Sequence, residues 1–408
     1  MPADHDNYID EIFEKALKGP KLFKDKSVLF HDYIPDHLPF RENEIKKIAQ
    51  LLSNLLRGHR GSNLFIYGKP GTGKTAVVKY VLRRFLNIAE KHKVPINCSY
   101  VNCRLAGTEY RIVISMARDV GLELPFTGLS TEEAFQRFIN KVINDGKPLL
   151  IILDEIDALV NRYGDKLLYG LTRFSQDKGK IPYIIIGISN SLTFKELLDP
   201  RVLSSLSEDE LVFKPYTSNE LEVILNERVK LAFYPNVVDY EAIKLAAALS
   251  AAEHGDARKA LDLIRIAGEI AEMNGDTHVT VEHVRQAYSN IDREKICDVI
   301  NTLPLHSRLI LATLYLITRK DSKYLSRGIK SSSLYASYTK IANELSNSPL
   351  SYRRFIGLLN ELNVLGLIDR KIENLGRRGG RSSWVRISIP IELLKKALES
   401  DPIVSEVI

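Results

Sequence analysis

Residues 64 to 82 read LFIYGKPGTGKTAVVKYVL, and three patterns follow one another within that stretch. LFIY is a short apolar run of the kind that forms a strand buried on both faces. Gly68-Lys69-Pro70-Gly71-Thr72-Gly73-Lys74-Thr75 fits G-x-x-x-x-G-K-[ST]. Val77, Val78, Val81 and Leu82 then recur at helical spacing. Strand, glycine-rich loop and helix in that order predict a phosphate-binding loop. Glycines let consecutive backbone N–H groups converge on one anion, and the helix N-terminus adds the positive end of its dipole. Lys74 is placed to neutralise the β- and γ-phosphates of a nucleotide, and the Thr75 hydroxyl to bind Mg²⁺.

Working outward, NLFIYG (63 to 68), NCSYVNC (97 to 103), PLLIILDEID (148 to 157) and IPYIIIGIS (181 to 189) are apolar runs separated by helical patterns. Runs that barely alternate, joined by crossover helices, predict an α/β domain around a parallel sheet. In such sheets the carboxyl ends of the strands face the ligand crevice, and LLIILDEID puts two adjacent carboxylates there. Asp154 is the candidate for holding Mg²⁺ through water, and Glu155 for polarising the attacking water. Adjacent strand residues point to opposite faces, so the chain is expected to turn between the two.

Hydrolysis also needs a γ-phosphate sensor and charge compensation. Asn190 closes the strand IIIGISN and is either that sensor or an Asx turn. Arg201, after a helix-breaking Asp-Pro, is either an arginine finger reaching a neighbouring subunit or a surface cation. Arg258, in HGDARKAL, starts a helix and either folds back onto the phosphates or lies on the helix surface.

Composition bounds the rest. With 45% hydrophobic and 26% charged residues over 408, the chain is an ordinary globular one with room for two or three cores. No run of eighteen apolar residues appears, and the N-terminus is acidic and polar, so a cytoplasmic, nucleoid-associated protein is expected, with no membrane partner. Cys98, Cys103 and Cys297 have no metal-ligand spacing and suit a reducing compartment. The net charge of +6 hides an asymmetry: residues 301 to 408 hold 17 Lys and Arg against 9 Asp and Glu, while the remainder is slightly acidic. A basic C-terminal quarter suggests a polyanion-binding module.

After FKPYTSNEL the strand signal stops, and residues 217 to 293 predict a small helical bundle, with Ser218 and Thr280 as N-caps. From Leu303 the chain reads helices, a turn, a helix and two short strands. SPLSYRRFIGLLNELNVLG sets Phe355, Leu358, Leu359 and Leu362 on one buried stripe, leaving Arg353, Arg354, Gly357 and Asn360 exposed. Following SYTKIANEL and the turn SNSP, this is the pattern of a recognition helix for the major groove. LIDRKIE and SSWVRISI then flank NLGRRGGRS, a hairpin whose tip carries Arg377, Arg378 and Arg381 among glycines, slim enough to enter a minor groove. The pattern is a winged helix, which serves either DNA binding or protein docking; the basic charge favours DNA.

Taken together, YIPDHLPFRE, the phosphate loop, YVNCR, LDEIDAL, GISN, DPRVLSSL, FKPYT, HGDARKALDLIRIAG and LPLHSRLIL resemble the archaeal origin-recognition initiators. These are AAA+ ATPases related to the largest subunit of the origin recognition complex and to the cell-division-control helicase loader. The resemblance runs over nearly the whole chain. It implies an AAA+ P-loop NTPase domain with a parallel sheet (21–216, after an N-terminal arm, 1–20), a helical lid (217–298) and an α+β winged helix (299–408). It implies ATP/ADP and Mg²⁺ as cofactors and slow hydrolysis serving as a switch. It matches Asn190 to sensor 1, Arg201 to the trans finger and Arg258 to sensor 2. Ile34, Pro35, Phe40 and Arg41 match the segment that cradles adenine, and Tyr216 adds to the nucleotide site. Residues 104 to 130 match a helical insertion that touches duplex DNA. The implied partners are double-stranded origin DNA, the replicative helicase and other initiator paralogues. Two other functions share parts of the pattern, a nucleotide-gated transcription regulator and a clamp-loader-like ATPase.

Overall fold

The computed structural model describes residues 20–178, 181–191, 193–206, 209–321, 323–345, 347–374 and 381–408. The chain divides into two compact units, Met1–Ala287 and Tyr288–Ile408, and the division falls inside the helix Val281–Thr302.

In the first unit, β1 (Leu64–Gly68), β2 (Asn97–Asn102), β3 (Leu149–Asp154), β4 (Tyr183–Ser189) and β5 (Asp209–Phe213) form one sheet in the order β2-β3-β4-β1-β5. Every pairing is parallel. β3 and β4 are buried at every position because helices cover both faces. Phe65, Leu149, Ile151 and Leu153 pack with the helices Glu109–Asp119 and Thr131–Asp145 on one side. Leu64, Ile66, Leu150 and Ile152 pack with Glu42–Leu56 and Lys74–Lys91 on the other. The stripe expected after the glycine-rich loop is present: Val77, Val78 and Val81 are buried and Leu82 packs partly against the same core. β5 is a fifth strand that the apolar runs do not predict. It lies at the sheet edge, where Glu210 and Val212 are exposed, and its sequence DELVF carries two acids.

Three further helices, Ser218–Ala232, Tyr240–Ala252 and Ala257–Asn274, form the predicted bundle with the start of Val281–Thr302. The N-cap of the first is Thr217 and not Ser218. Thr217 accepts from Glu220 N–H at 3.4 Å, and the Glu220 carboxylate accepts from Thr217 N–H at 2.7 Å, a reciprocal capping box that Ser218 is one residue too late to make. Thr280 does directly precede Val281, and its N–H donates to His283 Nδ1 at 3.1 Å. The segment after residue 20 packs on these helices: Lys24 N–H donates to Ala232 O at 2.7 Å, and the Phe23 ring lies 4.4 Å from that of Phe233.

The second unit is built on Leu305–Lys320, Ser331–Glu344 and Tyr352–Val364, with a three-stranded antiparallel sheet in the order β6-β8-β7. These strands are β6 (Ile329–Lys330), β7 (Ile368–Asn374) and β8 (Arg381–Ile387). β7 and β8 are the predicted hairpin; the two-residue β6 is too short to leave a periodic signal. Phe355, Leu358, Leu359 and Leu362 are all buried, as their spacing predicts. The turn before Tyr352–Val364 is held by two tyrosines: Tyr335 Oη donates to Leu350 O at 2.8 Å and Leu350 N–H donates to Tyr338 Oη at 3.2 Å. Among the described residues no helix is long and apolar enough to cross a membrane.

Candidate functional site

The parallel register brings the ends of β1, β3 and β4 to one edge of the sheet, and a cleft of about 1080 Å³ opens there. Gly71, Gly73, Lys74 and Thr75 of the glycine-rich loop line it, together with Asp154, Glu155, Asn190, Tyr216 and Arg258. Residues separated by almost two hundred positions in sequence therefore meet where the pattern places a nucleotide.

The loop is built for an anion. Gly71 and Gly73 have φ of +71° and +89°, left-handed values that favour glycine. A Cβ on Gly71 would fall 1.7 Å from Asp256 Oδ1, and one on Gly68 2.4 Å from Phe213 O. Lys74 is buried, and its Nζ donates to Gly68 O at 2.7 Å and Lys69 O at 2.8 Å. Burial and then the Arg258 charge push its ammonium down to about 8, against the opposite pull of Asp154, Asp157 and Asp256. A cation held in that way gains most from a phosphate partner. Gly68, Lys69, Pro70 and Thr72 do not line the cleft; Lys69 and Pro70 are exposed, and the buried Thr72 braces the loop, its Oγ1 donating to Lys69 O at 2.8 Å.

Asp154 ends β3, and Glu155 takes a left-handed conformation with φ of 52°, so the chain turns between the carboxylates as the alternation of strand faces requires. Asp154 Oδ2 accepts from Thr75 Oγ1 at 2.9 Å and from Tyr100 Oη at 2.5 Å, and Oδ1 accepts from Glu155 N–H at 2.9 Å. Burial, followed by Asp154, raises the Tyr100 phenol pKa well above its ordinary value, so Tyr100 remains a donor. A hydroxyl and a carboxylate 2.9 Å apart beside a phosphate loop are a donor set that fits Mg²⁺. The Glu155 carboxylate faces Arg104, whose Nε lies 2.7 Å from Oε2.

Asn190 follows β4, and its N–H donates to Asp157 Oδ1 at 3.1 Å; Ser189 Oγ donates to the same oxygen at 2.9 Å. Asp157 is buried and positions Asn190. Arg258 lies in the first turn of Ala257–Asn274, capped by Asp256, and Ala257 N–H donates to Gly71 O at 3.1 Å. The start of this helix thus touches the phosphate loop directly.

Among the residues matched to adenine, Ile34 and Pro35 line the cleft beside Tyr33 and Leu38. Phe40 and Arg41 do not. Phe40 is exposed, with φ of 62°, and Arg41 lies behind the loop. Its Nε donates to Thr72 O at 3.1 Å and Tyr216 Oη at 3.0 Å, and its Nη2 to Lys214 O at 2.7 Å. It is a clamp on the back of the phosphate loop, because its side chain is turned toward β5 and the chain that follows. Arg201 is outside the cleft and surface-exposed, paired with Asp199 through Nε at 3.0 Å and Nη2 at 3.1 Å. That pairing holds the Asp199 carboxyl down to about 2.

Sequence reasoning missed Arg104, Tyr100, Asp157 and Asp256 as members of this site. Asp157 stood within LDEIDAL, and Asp256 two residues before Arg258, but nothing local shows what each will hold.

In the second unit, Arg353 and Arg354 are exposed on Tyr352–Val364. Asn360 is exposed too, and its Oδ1 accepts from Arg370. Arg377 and Arg378 lie outside the described residues, and Arg381 is described only as the first residue of β8. In the first unit, the insertion after β2 exposes Leu105 and Phe126, 84% and 81% accessible.

Models of three domain families match successive parts of the chain. They are an AAA domain over residues 57–194, a Cdc6 AAA+ ATPase-type lid domain over 222–289 and a CDC6 C-terminal winged helix domain over 298–397. The chain is 42% identical over 403 residues to the ORC1-type DNA replication protein of Pyrococcus furiosus, spanning 98% of this chain and 95% of that one. It is 44% identical over 390 residues to ORC1-type DNA replication protein 1 of Sulfurisphaera tokodaii, spanning 96% of each. Among solved structures, that of the Aeropyrum pernix ORC1 protein in complex with DNA matches with a TM-score of 0.78 at 40% identity, over 95% of this chain and 100% of that one.

Proposed function

The chain belongs to the family of ORC1-type DNA replication proteins, and from that premise we propose an ATP-dependent initiator that binds replication-origin duplex DNA and helps recruit or load the replicative helicase. The observation that carries the nucleotide part is the hydrogen bond from Ala257 N–H to Gly71 O. Lid and phosphate loop share one backbone contact at the floor of the cleft, so whatever fills the loop bears on the lid.

Lys74 exchanges its two carbonyl partners for phosphate oxygens, and Thr75 with Asp154 holds Mg²⁺. The metal, when bound, neutralises charge on the phosphates. Ile34 and Pro35 flank the base, and Tyr216 adds to the same cleft. Arg258 reads the phosphates from the lid, and Arg201 leaves Asp199 to act on a neighbouring subunit. Asn190, oriented by Asp157, holds the lytic water or the γ-phosphate. Glu155 takes the proton of that water only when its carboxylate is released from Arg104, which supports slow turnover and a switch over a motor. The unit limits proposed are 21–216 for the ATPase domain, 217–298 for the lid and 299–408 for the winged helix.

Duplex binding is supported by the exposed arginines of Tyr352–Val364, by the basic balance of the last quarter, and by the apolar Leu105 and Phe126 on the insertion, the side-chain type that wedges into a duplex. The test is fluorescence anisotropy with duplexes from the host's own origins and scrambled controls, across a salt series, with ADP or a non-hydrolysable ATP analogue. A preference of about 10³ or more for origin duplex supports the initiator. Equal, steeply salt-dependent binding to both removes the sequence-specific reading and favours a general DNA-binding ATPase.

A further inference from the structure

The outer face of the second unit's sheet carries the only tryptophan in the chain. Strand register sets Trp384 of β8 directly between Lys330 of β6 and Lys371 of β7. Val385 and Ile387 turn into the core, so Trp384 and Arg386 share the opposite face. Lys330 Nζ lies 5.5 Å and Arg327 Cζ 5.8 Å from the centre of the indole. Arg386 is bonded to the Asp369 carboxylate through Nε at 2.8 Å and Nη2 at 2.6 Å. The nearby acid is therefore neutralised, and Arg327, Lys330 and Lys371 remain as exposed cations around the ring. A cleft of about 740 Å³ opens over Trp384, Lys371 and Arg327. None of these residues lies on the recognition helix or the wing tip.

We propose that this face binds an unpaired nucleotide of single-stranded DNA, with the base stacked on Trp384 and the flanking phosphates on Lys330 and Lys371. A flat aromatic between cations matches a single strand, which presents a base face and phosphates together; a duplex keeps its base faces inside the stack. Both cations over the ring sit near the ~6 Å limit of a cation–π contact, a weak hold that a base can replace while the cation turns to a phosphate. An acidic peptide would engage the lysines and leave the ring unused. The site extends the nucleic-acid reading of this unit, and the test separates the two.

Because Trp384 is the only tryptophan, its emission in the full-length chain reports the site directly. The chain is titrated with oligo(dT), origin duplex and poly-glutamate. Oligo(dT) is expected to quench the emission, and the duplex and the peptide are not. By anisotropy, Trp384→Ala should weaken oligo(dT) binding about 5- to 150-fold and leave duplex affinity within about twofold. Trp384→Phe keeps a stacking ring and should retain most of the affinity, which guards against a misfolded alanine variant. Lys330→Ala with Lys371→Ala should flatten the oligo(dT) salt slope by about 1.4. No quenching at saturating oligo(dT), equal quenching by duplex or by poly-glutamate, or unchanged oligo(dT) affinity in Trp384→Ala overturns the site. Quenching by oligo(dT) with no duplex binding at all supports this site and counts instead against the initiator reading.

Discussion

Lys74 shows how a single buried cation is held at the expense of the fold. Its pKa falls from 10.5 to about 8 because burial disfavours the ammonium, a difference on the order of 3 kcal/mol. For a lysine lowered in the folded state, the destabilisation is fully present below about pH 8 and fades as pH rises toward 10.5. Lys74→Met should therefore abolish nucleotide binding, read with a fluorescent ATP analogue, and yet raise the nucleotide-free melting temperature at pH 7. The gain should be smaller than the full figure, since two hydrogen bonds to Gly68 O and Lys69 O are lost, and should shrink above pH 9. Glu155 and Arg104 make a second residue-scale test. Glu155→Gln should keep ATP and stop phosphate release, whereas Arg104→Ala, which frees the carboxylate, should raise basal hydrolysis several-fold; an unchanged rate in Arg104→Ala would remove the restraint from the account. At this scale the lining of the cleft was legible where a local pattern marks it: Lys74 and Thr75 open the helix after the glycine-rich loop, and Asp154, Glu155 and Asn190 stand at strand ends or just beyond. Arg104, Tyr100, Asp157 and Asp256 were not, because each acts through a partner that only folding brings near. Phe40 and Arg41 were misplaced for the same reason: the direction of a side chain beside the loop is set by β5 and Tyr216.

Elements were legible in proportion to how strongly burial marks them. β3 and β4 are covered on both faces and read as continuous apolar runs; Tyr352–Val364 is covered on one and reads as a stripe. β5 at a sheet edge and the two-residue β6 escape that signal, since an edge strand is only partly covered, here leaving Glu210 and Val212 exposed, and two residues have no period. Helix starts depend on finer chemistry. Thr217→Ala should destabilise the first unit by about 1 kcal/mol through loss of the capping box, whereas Ser218→Ala should be near neutral; equal effects in denaturant titration would contradict the assignment. Phe355 is fully buried among Tyr335, Tyr338 and Leu359, so Phe355→Ala should cost the second unit about 3–5 kcal/mol. The loss should appear as a separate early transition in calorimetry, with the nucleotide-binding unit unaffected.

At the scale of the molecule, two tests bear on how nucleotide and DNA are handled. Gly71→Ala would place a methyl group 1.7 Å from Asp256 Oδ1 at a φ of +71°. It should force the lid helix away from the phosphate loop and expose the lid to limited proteolysis, even with ATP added. Arg353→Ala with Arg354→Ala should weaken duplex binding at all sequences and reduce the salt slope by about 1.8 if both touch phosphate; an unchanged slope would move the contact to another surface. The sequence by itself determined the fold class and most of the residues that line the cleft, because buried strands, a glycine-rich loop and carboxylates at strand ends are local patterns with local physical causes. It also determined the winged-helix pattern of the last quarter, through one apolar stripe and one alternating strand. Only the tertiary structure decided what meets what: Asp256 against Gly71, Arg104 against Glu155, Arg41 behind the loop and Trp384 between two lysines. Such contacts join residues as far as 185 positions apart, and distance along a chain carries no information about them until the sheet register and helix packing are set.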